Sequence, residues 1–163
     1  MSLEILIVDD EADIRELLAG TLEDEGYLTH KAANSDEAIE AIALHQPSLV
    51  LLDIWLQGSE LDGIEILKII QADYPRIPVI MMSGHGNIET AVTAINLGAY
   101  DFIEKPFNSD RLLVISARAL EASRLRRENE ELRKRAGTEN QLIGRSVVIN
   151  QLRQSISKVA PTN

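Results

Sequence analysis

Four charged side chains in this sequence follow short apolar runs: Asp9 and Asp10 after ILIV, Asp53 after LVLL, and Lys105 within DFIEKP. Apolar runs of this length have the character of buried strands, and parallel strands end on one edge of their sheet. Residues far apart in sequence can therefore share a pocket there. In the 2-1-3-4-5 order common among doubly wound sheets, strands one and three are neighbours, which sets Asp9 and Asp10 beside Asp53. At about 6 Å and an effective dielectric near 20, each ionised pair repels by about 3 kcal/mol. Such a cluster calls for a positive partner. A hard divalent cation such as Mg2+, which takes oxygen ligands and keeps waters, suits it better than a softer metal, and Lys105 neutralises part of the charge.

A carboxylate beside a cation and a lysine is a competent nucleophile towards a phosphoryl group and yields an aspartyl phosphate. Asp53 stands alone after its strand and is the better nucleophile, leaving Asp9 and Asp10 as metal holders. Ser83, at the end of VIMMS, can offer its hydroxyl to a phosphoryl oxygen. Taken singly, Asp9 or Asp53 reads more readily as a cap or turn residue, while Ser83 reads equally as turn chemistry and Lys105 equally as a solvated edge charge. The combination carries the inference.

The elements that must position these groups are legible along residues 4 to 107. Ile5 to Val8, Leu28 to Ala32, Leu49 to Leu52, Val79 to Met82 and Asp101 to Glu104 read as strands. Between them run helical stripes: Ile14, Leu17, Leu18 and Leu22; Ala38, Ile39 and Ile42; Ile64, Ile66, Leu67 and Ile70; Ala91, Val92 and Ile95. Gly26, Pro75, Pro78 and Gly98 fall where helices must stop, and Asn34 with Glu37 suits a helix start. This (βα)5 series predicts an α/β fold, a doubly wound five-stranded parallel sheet with right-handed crossovers. From about Asp110 to Ala136 there is no glycine or proline, which predicts one long helix ended by Gly137.

Composition narrows the classes of function. The chain has 163 residues, 45% of them hydrophobic, and no cysteine, so disulfides, thiolate chemistry and cysteine-bound zinc are excluded. Its net charge is −10. Residues 1 to 110 carry 21 acidic and 5 basic residues, which argues against nucleic acid as a partner of that part. In the long helix Arg124, Arg126, Arg127, Arg133 and Arg135 alternate with Glu121, Glu128, Glu130 and Glu131, the pattern of a solvated, salt-bridged helix. No apolar run approaches the roughly 18 residues of a membrane span, and MSLEIL has no signal-peptide pattern, so a cytoplasmic protein without membrane contact is expected. His30, His45 and His85 show no metal-ligand spacing. Trp55 reads equally as a packing residue or as an exposed side chain that limits water access to the site.

The motifs ILIVDDE, LVLLDIW, Asp62 with Gly63, VIMMSGHG and GAYDFIEKPF, in that order, resemble the receiver domain of two-component response regulators over residues 3 to 120. A chemotaxis member of that family exemplifies the strand order used above, so order and resemblance are one line of reasoning. The resemblance implies that Asp53 is the phospho-acceptor, that Asp9, Asp10, Asp53 and the backbone carbonyl of Trp55 hold Mg2+, that Ser83 and Phe102 form a switch pair, and that a cis bond joins Lys105 to Pro106. It also implies a sensor histidine kinase as phosphoryl donor. The receiver assists only its own modification and is not an enzyme acting on a free substrate. Two departures from the usual receiver pattern are visible. The segment IWLQGSEL is about two residues long for its place, with Gln57 where proline is common, and Phe102 lacks the hydroxyl of a tyrosine.

WLQGSELDG and the tail LIGRSVVINQLRQSISKVAPTN resemble the NtrC group, in particular its NtrX branch. Proteins of that group carry an AAA+ ATPase domain and a DNA-binding domain after the receiver, so DNA and sigma factor are implied as partners only through domains absent from this chain. Residues 1–120 are expected to be the receiver, 121–137 a linker helix, and 138–163 the start of an AAA+ domain within a longer regulator of transcription. No G-x-x-x-x-G-K-[ST] occurs, so no ATP turnover is expected. Ala122, Leu125, Asn129 and Leu132 occupy a and d positions of a heptad, with an asparagine that sets register in parallel dimers, so a homodimer is expected. Two rivals are weaker. A phosphatase of the haloacid dehalogenase type needs D-x-D-x-[TV], whereas Asp53 is followed by Ile54, Trp55 and Leu56; a receiver-like binding module that works without phosphorylation does not need the full carboxylate set.

Overall fold

The computed structural model describes the backbone of residues 3–84 and 88–157, with side chains described for 3–84 and 89–136; His85 lies outside these residues. Five strands and five helices alternate: β1 Glu4–Val8, α1 Ala12–Glu23, β2 Leu28–Ala32, α2 Ser35–His45, β3 Leu49–Asp53, α3 Gly63–Asp73, β4 Val79–Ser83, α4 Ile88–Asn96, β5 Asp101–Glu104 and α5 Ser109–Ser157. The sheet is parallel throughout, in the order β2-β1-β3-β4-β5. Fold class and strand positions are those expected from the sequence.

Alternation along the strands divides the core. Leu6, Val8, Val50, Leu52, Val79 and Met81 face the apolar sides of α2, α3 and α4. Ile5, Ile7, Leu49, Leu51, Ile80, Met82 and Ile103 face Leu18 and Leu22 of α1 and Leu112, Ile115 and Ala119 of α5. The central strands β1, β3 and β4 thus bury both faces, which is why they read as unbroken apolar runs. Each fully buried leucine or isoleucine contributes roughly 1.5–3 kcal/mol of transfer free energy, so this two-sided core fixes the strand ends firmly.

Local signals set the helix boundaries. The Asn34 side chain accepts the Glu37 N–H at 2.9 Å and starts α2, while Asp62 and Glu65 form a reciprocal capping box on α3. Gly26 and Gly98, at φ of +93° and +110°, close the turns after α1 and α4. One boundary departs from expectation: α5 does not stop at Gly137 but continues to Ser157. A glycine inside a helix costs only about 1 kcal/mol, and no proline intervenes before Pro161, so nothing here forces an end. The chain divides into two compact units, residues 1–123 and 124–163. Among the described residues, no helix is long and apolar enough to cross a membrane.

Candidate functional site

Register builds the site. Val8 pairs with Leu52, so the next positions, Asp9 and Asp53, end neighbouring strands side by side. Ser83 pairs with Glu104, which brings Lys105 beside the end of β4, where its N–H donates to the Ser83 carbonyl at 2.7 Å. Continuing the alternation, Asp9, Asp53 and Lys105 share the sheet face of α1 and α5, whereas Ser83 shares the other face with Met81 and Phe102. The Lys105–Pro106 bond is cis, as the resemblance implied.

Asp9 is fully buried and Asp53 is 3% exposed. The Lys105 ammonium donates to Asp9 Oδ2 at 2.6 Å and to Asp53 Oδ2 at 3.2 Å, and lies 4.0 Å from Glu11 Oε1. Asp9 Oδ1 accepts the Glu11 N–H at 2.9 Å, and its backbone carbonyl accepts from Arg15 Nη1 at 2.6 Å. With both carboxylate oxygens engaged by the protein, Asp9 acts first as the anchor of Lys105. Asp10 is only half-buried and accepts the Gln57 N–H at 3.1 Å.

Burial pushes the Asp53 carboxyl up to about 6, with Asp9 and Asp10 adding to the rise and Lys105 opposing it. Burial alone lowers the Lys105 ammonium, but contact with Asp9 and Asp53 outweighs it and leaves the group raised and charged. When all are ionised, three carboxylates around one ammonium leave two negative charges uncompensated. One oxygen from each of Asp9, Asp10 and Asp53 lies within 4.8 Å of the others, and these donors are oxygens only. A hard divalent cation fits that set.

A pocket of about 310 Å³ opens over Asp53, lined by Asp10, Glu11, Asp53, Trp55, Gln57, Gly84 and Lys105. Trp55 is 54% exposed and lines this pocket, so it is not a buried packing residue. Ser83 is buried and Phe102 half-buried, packed on the α2–α4 side of the sheet; neither lines the pocket, although Gly84 next to Ser83 does. Glu11, Arg15 and Gln57 were missed as site residues. Glu11 adjoins DD in sequence, while the Gln57 contact is made by its backbone and leaves no side-chain signal.

The long segment after β3 is ordered by Ser35 at the start of α2. The Ser35 N–H donates to Ser59 Oγ at 2.8 Å, Ser59 Oγ donates to the Leu61 carbonyl at 2.6 Å, and the Leu61 N–H donates to Ser35 Oγ at 3.2 Å. These bonds tie the pocket rim to α2. At the other end of the sheet His30 and His45, distant in sequence, stack with ring centroids 3.7 Å apart, and His30 Nε2 is 2.7 Å from Glu4 Oε1. Spacing along one segment misses a cluster assembled across two strands and a helix end.

The sequence profile of the response regulator receiver domain matches residues 5–116. The nitrogen assimilation regulatory protein NtrX of Azorhizobium caulinodans is 60% identical over all of this chain and 36% of its own length. The crystal structure of the receiver domain of NtrX from Brucella abortus superposes with a TM-score of 0.70 at 61% identity, covering 72% of this chain and 98% of that one. A crystal structure of NtrX from the same organism covers 99% of this chain and 35% of that chain, with a TM-score of 0.81 at 56% identity. The chain thus spans about a third of the length of the curated relative it matches.

Proposed function

The chain belongs to the response regulator receiver family, in its NtrX and NtrC-type branch, and from that premise we propose that Asp53 accepts a phosphoryl group from the phosphohistidine of a sensor histidine kinase. The observation that carries this reading is the Asp53 carboxylate at the floor of an open pocket, held by Lys105 at 3.2 Å amid the oxygens of Asp9 and Asp10. A carboxylate oxygen attacks phosphorus, the phosphorus–nitrogen bond breaks, and the electron pair leaves with the imidazole. Asp9, Asp10, Asp53 and the Trp55 carbonyl would hold Mg2+. When bound, Mg2+ supplies positive charge to the phosphoryl oxygens. Lys105 neutralises part of the incoming charge, and Trp55 restricts water at the rim.

Ser83 and Phe102 transmit the change. Because the Ser83 carbonyl is bonded to the Lys105 N–H, a shift of Ser83 towards the phosphoryl group moves the end of β5 with it. Phe102 follows on the same sheet face, and the surface of α4, β5 and α5 changes shape. The output is transcriptional, through domains outside this chain that contact DNA and sigma factor, in the cytoplasm. Mass spectrometry after incubation with acetyl phosphate and Mg2+ tests the reading: one added phosphoryl group is expected on Asp53. Addition to another residue removes Asp53 as the acceptor, and no addition from acetyl phosphate or a kinase returns the chain to a binding module that works without phosphorylation. The chain itself is not an ATPase, since it lacks a phosphate-binding loop; saturable ATP hydrolysis that copurifies with it contradicts this.

The long helix supplies the oligomeric reading. Leu125 and Leu132 are 53% and 60% exposed, an unburied apolar stripe with Ala122 and Asn129 in register, and Val92, Ile95, Tyr100 and Val114 expose further apolar surface on the receiver. Arg124 pairs with Glu128 within the helix, so these charges are already engaged within one chain. The dimer therefore rests more on the apolar stripe and the receiver face than on charge. Light scattering across a concentration series is expected to show dimers for the full chain and weaker association for residues 1–120. Monomers from both at high concentration, phosphorylated or not, reduce the helix to a connector.

A further inference from the structure

We propose that Glu4, His30 and His45 form a second metal site, at the end of the sheet away from Asp53, which takes a borderline divalent ion such as Zn2+. Glu4 opens β1, His30 lies inside β2 opposite Leu6, and His45 ends α2. Glu4 and His30 are diagonal neighbours on one face of a parallel pair, the arrangement that lets long side chains meet. One ligand atom from each residue lies within 4.8 Å of the others, and all three side chains are half-buried, so an ion from solvent can reach them.

The donor set differs in kind from the one over Asp53. Two imidazoles and a carboxylate are a set used by three-ligand zinc sites, with a fourth position left to water or another ligand. Imidazole nitrogen favours zinc, nickel and copper, whereas Mg2+ prefers the oxygen-only cluster. His45 stands in the last turn of α2, where the helix carbonyls favour a cation. Asp9 lies five positions beyond Glu4 along the strand, roughly 17 Å at strand rise, so the two sites can fill independently.

The stacked rings indicate what must move. A metal bonds in the plane of an imidazole, and two stacked rings with centroids 3.7 Å apart and planes inclined by 11° share no such point near both rings. One ring must turn. His30 is already held by Glu4 at 2.7 Å, so His45 is the side chain that rotates, gathering three elements around one ion.

Zinc binding to the full chain, measured calorimetrically with excess Mg2+ present to occupy the carboxylate edge, tests the site. One Zn2+ per chain is expected, and His30→Ala, His45→Ala and Glu4→Gln should each weaken binding by at least the roughly 10–100-fold that even supporting residues of a metal site cost. His85→Ala and Asp10→Asn should bind Zn2+ like the wild type. In the wild-type protein, Zn2+ should shift the ring resonances of His30 and His45 and raise the melting temperature, readouts that do not depend on a variant folding. The proposal fails if no such site is found, if affinity is lost in His85→Ala or Asp10→Asn instead, or if the His30 and His45 resonances stay unmoved; Glu4 and His30 are then only a hydrogen-bonded pair beneath a stacked ring.

Discussion

In Asp53→Asn, Mg2+-dependent phosphoryl labelling from acetyl phosphate is expected to fall to background while the folded domain becomes more stable. The first effect follows because an amide oxygen is a poor nucleophile, and the neighbouring Asp9 is buried with both carboxylate oxygens engaged, so it offers no substitute. The second follows from linkage. The Asp53 carboxyl titrates at about 6 in the folded protein against an ordinary value of 3.8, so the folded state holds that proton more tightly. The stability conferred by the proton is present below 3.8 and is lost as pH rises through about 6. At pH 8 the wild type carries an ionised buried carboxylate at a cost on the order of 2–3 kcal/mol, and asparagine removes it. Thermal unfolding in EDTA should therefore show Asp53→Asn melting higher than wild type at pH 8, with the gap closing towards pH 4. Mg2+ should raise the wild-type melting temperature at pH 8 more than that of the variant. Undiminished labelling of the variant removes Asp53 from the mechanism; a stability gap that ignores pH removes the electrostatic account.

How much of this was legible in the sequence depends on the kind of contact. The apolar runs of β1, β3 and β4 are buried on both faces, so they announced themselves, and with them the charged residues at their ends. Strand order then made Asp9 and Asp53 neighbours. What composition and spacing could not rank was Asp9 against Asp10, because the difference lies in which of them meets Lys105. The Gln57 N–H on Asp10 is equally silent, since any residue but proline donates there. The Gly137 boundary failed because a single glycine is a weak stop without a proline or a competing cap. His30 and His45 went unpaired in the sequence because the register of β2 against β1 and the length of α2 together decide their meeting, and neither is a local property.

Gly63 carries the second large effect, because α3 begins against the backbone of the residue proposed to accept the phosphoryl group. A Cβ added there lies 2.1 Å from the Asp53 carbonyl oxygen and 2.6 Å from Ile54 Cα. Neither atom can step aside cheaply: the Ile54 N–H is bonded to the Met82 carbonyl at 2.9 Å, and the Gly63 N–H to the Ile54 carbonyl at 2.8 Å. The capping box of Asp62 and Glu65 fixes the helix start from the other side. Overpacking of this kind costs about 3 kcal/mol or more, and at this size that lowers the melting temperature by roughly 10 °C. Gly20 provides the contrast. It lies inside α1 with open space around its Cβ position, so Gly20→Ala should stabilise by about 0.5–1 kcal/mol through the unfolded chain. Calorimetric unfolding of both variants, together with phosphoryl labelling of Gly63→Ala at a temperature where it remains folded, separates stability from site geometry. Reduced labelling in folded Gly63→Ala is expected, since relief of the clash must displace the Asp53 backbone. If Gly63→Ala melts like the wild type and labels fully, then α3 does not hold the acceptor strand in the way its close approach requires.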